Sequence, residues 1–291
     1  MLLKNLIIIV FLSLSLYAEG SIVKKEIPEV VPVQWLKEHY NDPRVVILDI
    51  REYDEYKKGH LEGAVNVPGL KNLFDAKTWM MPKLDALKDV FSNAGVDKDS
   101  LVVAYDNGEF FWAARLYWIL EVLGHNNVGL LQYAYGNYLK QNLPISTKDT
   151  VVKRKEFVPR VDNNQIQTKL STLLSIGKKT IIDGRANTHY MGEESISKRF
   201  GHIPTAKNYA CTNNFQVTKD GSRMKDFDEL AKLYKDIPKD KEVILYCQGG
   251  AEAALNYIVL KKLGFKASVY DGSWKEWGND SAVPVDNPSK K

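Results

Sequence analysis

The chain has 291 residues, 44% of them hydrophobic, with six tryptophans and a formal net charge of +4, enough length and apolar content for two packed domains. Lysines are interspersed among acids rather than gathered into a stripe that could track a phosphate backbone, so nucleic acid is not an expected partner. Two cysteines, Cys211 and Cys247, are too few for a scaffold held by disulfides.

In chain order, the first predicted element is a secretory signal peptide over residues 1–18. Lys4 precedes an apolar run from Leu6 to Leu16, and the small Ala18 follows. The run is shorter than the roughly 20 residues a spanning helix needs, so cleavage after Ala18 is expected. The expected product is a periplasmic or secreted protein, monomeric and without a stable membrane anchor.

Val45-Val46-Ile47-Leu48-Asp49-Ile50-Arg51 then reads as a buried strand ending in Asp-x-Arg. Gly59-His60 opens a turn that leads through Ala64 to Asn66. Leu101 to Tyr105 is a second buried strand, closed by Asp106 and followed by a helix that stops at Leu123-Gly124. Pro144, Ser146 and Pro159 give the stretch from about Lys140 to Arg160 the composition of a linker. The same plan then recurs at an offset near 140. Thr180-Ile181-Ile182-Asp183-Gly184-Arg185 answers the first strand, and Gly201-His202 through Ala206 to Asn208 answers the turn. Val243-Ile244-Leu245-Tyr246-Cys247 answers the second strand, with its helix ending at Leu263-Gly264.

Short apolar strands alternating with helices predict an α/β fold of two domains, each a parallel sheet flanked by helices on both faces. The expected bounds are 25–148 and 161–288, joined by a linker over 149–160. Such sheets place their sites at the carboxyl ends of strands, where Asp106 and Cys247 both fall.

Cys247 begins the loop Cys247-Gln248-Gly249-Gly250-Ala251-Glu252, and Ala251, Ala254, Leu255, Ile258 and Val259 carry the helical spacing that follows. The unpaired amides of such a loop and the positive end of the helix dipole favour a thiolate. The alternative is a small apolar residue capping a sheet; the paired glycines favour a nucleophile or an anion site. A cysteine phosphatase would need Arg six residues after Cys247, where the chain has Ala253. His60 and His202 lie in matching turns, one of them beside no nucleophile, so both are expected to be structural. His39, His125 and His189 have no ligand spacing with the cysteines, and neither a metal nor a cofactor is expected.

Together the two Asp-x-Arg strand ends, the two Gly-His turns, the loop from Cys247 to Gly250 and the run Tyr270-Asp271-Gly272-Ser273-Trp274-Lys275-Glu276-Trp277 resemble the tandem rhodanese sulfurtransferases. The resemblance covers nearly the whole mature chain. It implies a catalytic second domain and a first domain in which Asp106 replaces the nucleophile and which supplies one wall of a cleft. It further implies ping-pong transfer, with Cys247 taking a sulfane sulfur from a small anionic donor such as thiosulfate or mercaptopyruvate and passing it to a thiol or cyanide. Backbone amides of Gln248, Gly249, Gly250, Ala251 and Glu252 would ring the persulfide. Arg185 would grip the donor, or else pair with a neighbouring carboxylate; Arg51 is its structural counterpart.

The loop, with side chains of Gln248 and Glu252, has neither the Arg or Lys common in thiosulfate-using members of the family nor the small Gly, Ser and Thr of mercaptopyruvate-using members. A Glu252 carboxylate about 6 Å from the thiolate would cost roughly 2–3 kcal/mol at an effective dielectric near 20. Glu252 must point away, be neutralised, or serve an unusual substrate. A carrier that holds sulfur without turning it over is the alternative function. Cys211 is expected to be a free buried thiol, a disulfide with Cys247 being the alternative.

Overall fold

The computed structural model describes residues 25–219 and 221–290; the expected signal peptide lies outside the described residues. Five parallel strands form the first sheet: β1 (Val30–Val31), β2 (Val45–Asp49), β3 (Val65–Asn66), β4 (Leu101–Tyr105) and β5 (Val128–Leu131). Five more form the second: β6 (Ile166–Gln167), β7 (Thr180–Asp183), β8 (Lys207–Asn208), β9 (Val243–Tyr246) and β10 (Ala267–Tyr270). The spatial orders are β3-β2-β4-β5-β1 and β8-β7-β9-β10-β6, one topology used twice. Every residue of the central strands β4 and β9 is buried, as an apolar run covered on both faces must be.

The registers explain the repeated Asp-x-Arg. Asp49 lies beside Tyr105 across β2 and β4, and Asp183 beside Tyr246 across β7 and β9. Each tyrosine hydroxyl donates to its aspartate, at 2.5 Å for Tyr105 and 2.6 Å for Tyr246. The carboxyl end of each sheet is thereby fastened by a buried polar pair.

The helices after the central strands are α1 (Phe111–Val122) and α2 (Ala251–Lys262). The spacing in α2 predicts one apolar stripe, yet every residue from Ala253 to Leu260 is buried. Its second side packs on α1 of the other domain, so that Leu116 and Leu120 share one continuous core with Ala254 and Ile258. Tyr257 ties the helices further, its hydroxyl lying 2.6 Å from Glu121 Oε2. Residues 147–162 contain no helix or strand, and they run back along the first domain through Arg160 N–H to Leu123 O at 2.8 Å. Among the described residues no helix is long and apolar enough to cross a membrane.

Candidate active site

Cys247 is the first residue after β9, and Gly250 turns the chain into α2 with φ of +90°. A Cβ at Gly250 would lie 2.5 Å from Arg115 Nη1, so both the backbone angle and the space require glycine. The Gly250 N–H donates to Cys247 Sγ at 3.0 Å, and the N–H groups of Ala253 and Gly249 also act on the sulfur. The loop is held from behind by the Asp-Gly-Ser-Trp segment. Ser273 Oγ accepts from Cys247 N–H at 3.1 Å, Trp274 N–H donates to Cys247 O at 2.8 Å, and Lys275 N–H donates to Gln248 O at 2.9 Å.

The first domain provides an internal control. Asp106 sits where Cys247 sits, and its carboxylate accepts from Gly108 N–H at 2.8 Å, Phe110 N–H at 3.0 Å and Ala113 N–H at 3.2 Å. Phe110, left-handed like Gly250, immediately precedes its helix, and Ala113 is three residues on, as Ala253 is from Gly250. The two loops thus present matching rings of N–H donors. One holds a fixed carboxylate, and the other surrounds a thiol. The ring differs from the expected set: the N–H groups of Gly249, Gly250 and Ala253 act on the sulfur, those of Ala251 and Glu252 are not among its donors, and the Gln248 N–H goes to the Glu252 carboxylate.

Cys247 lies at a cleft of about 470 Å³ with Gln248, Gly249, Ala251 and Glu252 along one side. The first domain supplies the opposite wall through Phe74, Trp79, Phe111 and Trp112. Phe111 and Trp112 follow the Asp106 loop as Ala251 and Glu252 follow the Cys247 loop. Trp79 packs on the loop itself, since a Cβ at Gly249 would lie 3.0 Å from Trp79 Cε3. Beneath the cleft, Asp271 accepts from Arg115 Nη1 at 2.6 Å and from Met81 N–H at 2.7 Å, both from the first domain. These contacts fix the wall against the loop.

The thiol does not rest as a thiolate. Burial, followed by the Glu252 carboxylate, pushes it up to about 12, against the pull of the three N–H groups. Glu252 lines the cleft rather than pointing away, and burial raises its own carboxyl, opposed by hydrogen bonds from Gln248 N–H and the Cys247 thiol. A helix terminus offers only about 0.3–2 kcal/mol, too little to reverse burial and a like charge together. Burial likewise outweighs the N–H ring at Asp106, whose carboxyl lies above its ordinary range.

Arg185 takes the second of its two expected roles. Its Nε donates to Asp183 Oδ1 at 2.9 Å, and its Nη2 to Asp183 Oδ2 at 2.5 Å and Gly201 O at 2.7 Å. The side chain is fully buried beneath Trp274, 4.4 Å from its ring centre, and Nη1 has no partner. It is not among the groups lining the cleft, because Asp183 holds it at the end of β7. Arg51 repeats the arrangement with Asp49 at 2.6 Å and Gly59 O at 2.7 Å. His60 and His202 are also a matched pair, stacked on Tyr56 and Tyr190 with ring centres 3.6 and 3.8 Å apart. Cys211 and Cys247 are both free and buried. Among the described residues no three His, Cys, Asp or Glu side chains gather to hold a metal.

The model of the rhodanese-like domain matches twice, over residues 32–141 and 167–280. The chain belongs to the rhodanese-like family. A putative thiosulfate sulfurtransferase of Synechococcus elongatus is 31% identical over 276 residues, covering 89% of this chain and 85% of that protein. The sulfur carrier protein TtuD of Thermus thermophilus is 30% identical, with 89% and 96% covered. Among solved structures, the 3-mercaptopyruvate sulfotransferase SseA of Escherichia coli superposes with a TM-score of 0.74 at 27% identity, covering 85% of this chain and 99% of that one. Sulfurtransferase names recur among relatives at about 30% identity over most of the chain, and the SseA structure shares the rhodanese fold.

Proposed function

We propose that this protein is a sulfurtransferase that moves a sulfane sulfur through a persulfide on Cys247. The observation that carries the reading is the match between the Asp106 and Cys247 loops, in which one pattern of N–H donors surrounds a carboxyl in one domain and a reactive sulfur in the other. A terminal persulfide sulfur, being anionic near neutral pH, fits that ring better than a thiol does.

The Cys247 proton passes to the Glu252 carboxylate, its hydrogen-bond partner. The thiolate then attacks the outer sulfur of the donor. A sulfur–sulfur bond forms at Cys247, and the bond in the donor breaks with its electron pair leaving on the departing group, sulfite when the donor is thiosulfate; that group takes the proton from Glu252 as it departs and restores the carboxylate. In the second half-reaction an acceptor thiolate or cyanide attacks the terminal sulfur, and the Cys247 thiolate leaves. Gly250, Gly249 and Ala253 N–H groups carry the charge at each stage.

The second reading is a sulfur carrier without turnover, favoured by the high thiol pKa and by the absence of Lys and Arg from the groups lining the cleft. The two separate experimentally. Incubation with thiosulfate, mercaptopyruvate and polysulfide in turn adds one sulfur to Cys247 under either reading, and only the transferase releases it repeatedly to cyanide or a thiol. Export after cleavage at Ala18 belongs to the same proposal and is checked by sequencing the amino terminus of the mature protein.

A further inference from the structure

The cleft wall has a chemistry of its own. Phe111 and Trp112 present rings 5.2 Å apart at 53°, with Phe74 edge-on to Trp112 at 5.9 Å. The acids of the cleft are Glu252 and Asp75. Asp75 stays ionised, because N–H and hydroxyl groups of Thr78 hold its carboxyl below the ordinary range. Glu109, outside the cleft lining, accepts from Trp112 Nε1 at 2.8 Å. Of the nearby cations, Arg185 is paired with Asp183 and Arg115 with Asp271, Lys275 lies over the Trp79 ring at 4.6 Å, and Lys77 acts on Asp75 from outside the cleft lining. Gln248, which lines the same cleft, adds a buried amide whose Oε1 and Nε2 both lack a partner in the protein.

We infer that the small-molecule acceptor of this site is an organic cation, a thiol carrying an ammonium group, held by the aromatic wall and the Glu252 and Asp75 carboxylates. The inference rests on the persulfide reading above and names its acceptor class. A loaded Cys247 persulfide adds another negative charge to a cleft without a lining base. An acceptor thiolate that brings its own ammonium offsets that charge, whereas a carboxylate-bearing thiol increases it. Aromatic faces reward a desolvated cation and penalise an anion. The transfer itself balances: the acceptor thiolate attacks the terminal sulfur, its new sulfur–sulfur bond forms as the one to Cys247 breaks, and the Cys247 thiolate leaves with the electron pair.

Two measurements test this independently. In the first, Cys247→Ser protein is titrated with choline and with its uncharged isostere 3,3-dimethylbutanol, read by tryptophan fluorescence. Choline should bind about tenfold more tightly. Equal affinity, or tighter binding of the isostere, overturns the inference, and this arm needs no sulfur chemistry. In the second, persulfide-loaded protein is discharged with cysteamine, 2-mercaptoethanol or thioglycolate, compared at equal thiolate concentration. Cysteamine should be fastest and thioglycolate slowest. The cysteamine-to-thioglycolate ratio should fall at least about tenfold in Glu252→Gln and in Asp75→Asn, which keeps the Oδ1 acceptor for Thr78. A thioglycolate rate equal to or above that of cysteamine, or a ratio unmoved in both variants, contradicts the inference. Failure to load sulfur at all would instead contradict the persulfide reading and leave the choline comparison to decide the cation.

Discussion

Replacing Glu252 by Gln keeps the size of the side chain and removes the charge beside Cys247. The carboxylate lies within hydrogen-bonding reach of the thiol. At a charge separation of roughly 5 Å and an effective dielectric near 20, its repulsion of a thiolate amounts to about 3 kcal/mol, or about two pH units in the midpoint of thiolate formation. The sign is downward. The wild-type thiol is pushed up to about 12, and burial, the larger cause, remains in the variant, so the midpoint should fall without dropping below the ordinary cysteine range. The thiolate fraction at pH 8 then rises about a hundredfold. A less basic thiolate is also a weaker nucleophile, with a Brønsted slope near 0.5, so alkylation by iodoacetamide should accelerate about tenfold. The assay is the pH dependence of alkylation in a Cys211→Ala background, where Cys247 alone reports. A midpoint unchanged or raised in Glu252→Gln would refute the electrostatic account of the loop.

Three further outcomes follow from the same geometry. Arg115→Met strands the buried Asp271 carboxylate between the domains, and urea unfolding should register a loss of about 3–5 kcal/mol. Gly250→Ala forces a side chain into a left-handed backbone position and toward Arg115; it should cost about 1–3 kcal/mol by the same assay and abolish sulfur uptake. Asp106→Ala leaves the N–H groups of Gly108, Phe110 and Ala113 without their acceptor and should lower stability by about 1–3 kcal/mol in thermal unfolding, while Cys247 still loads sulfur.

The doubled architecture is legible because each domain spells its strands, turns and helix ends with the same residues, and the register then brings Asp49 to Tyr105 and Asp183 to Tyr246. The loop is legible too, since a thiol and two glycines at a strand end leave few other geometries. Arg185 is the instructive case. The resemblance nominates Arg185 as the cation that grips the donor, whereas the structure pairs both Arg51 and Arg185 with aspartates of their own strands and leaves Arg185 outside the cleft lining, a difference that the matching pair in the nucleophile-free first domain signals. The aromatic wall is a tertiary product. Phe74 and Trp79 reach the cleft only because α1 packs on α2 and Asp271 captures Met81 and Arg115, which no local pattern encodes. Phe111 and Trp112 carry a signal, as counterparts of Ala251 and Glu252 in the repeat. The high thiol pKa is not legible, because it depends on burial and on the direction in which Glu252 points.

The central claim is that Cys247 carries sulfur. Intact mass of the purified protein after incubation with thiosulfate, mercaptopyruvate or polysulfide tests it most directly, with Cys247→Ser treated in parallel. The account predicts a gain of one sulfur atom with at least one donor, mapped to Cys247, lost on addition of cyanide and missing from the serine variant. A gain that persists in Cys247→Ser, or no gain with any of the three donors, would contradict it.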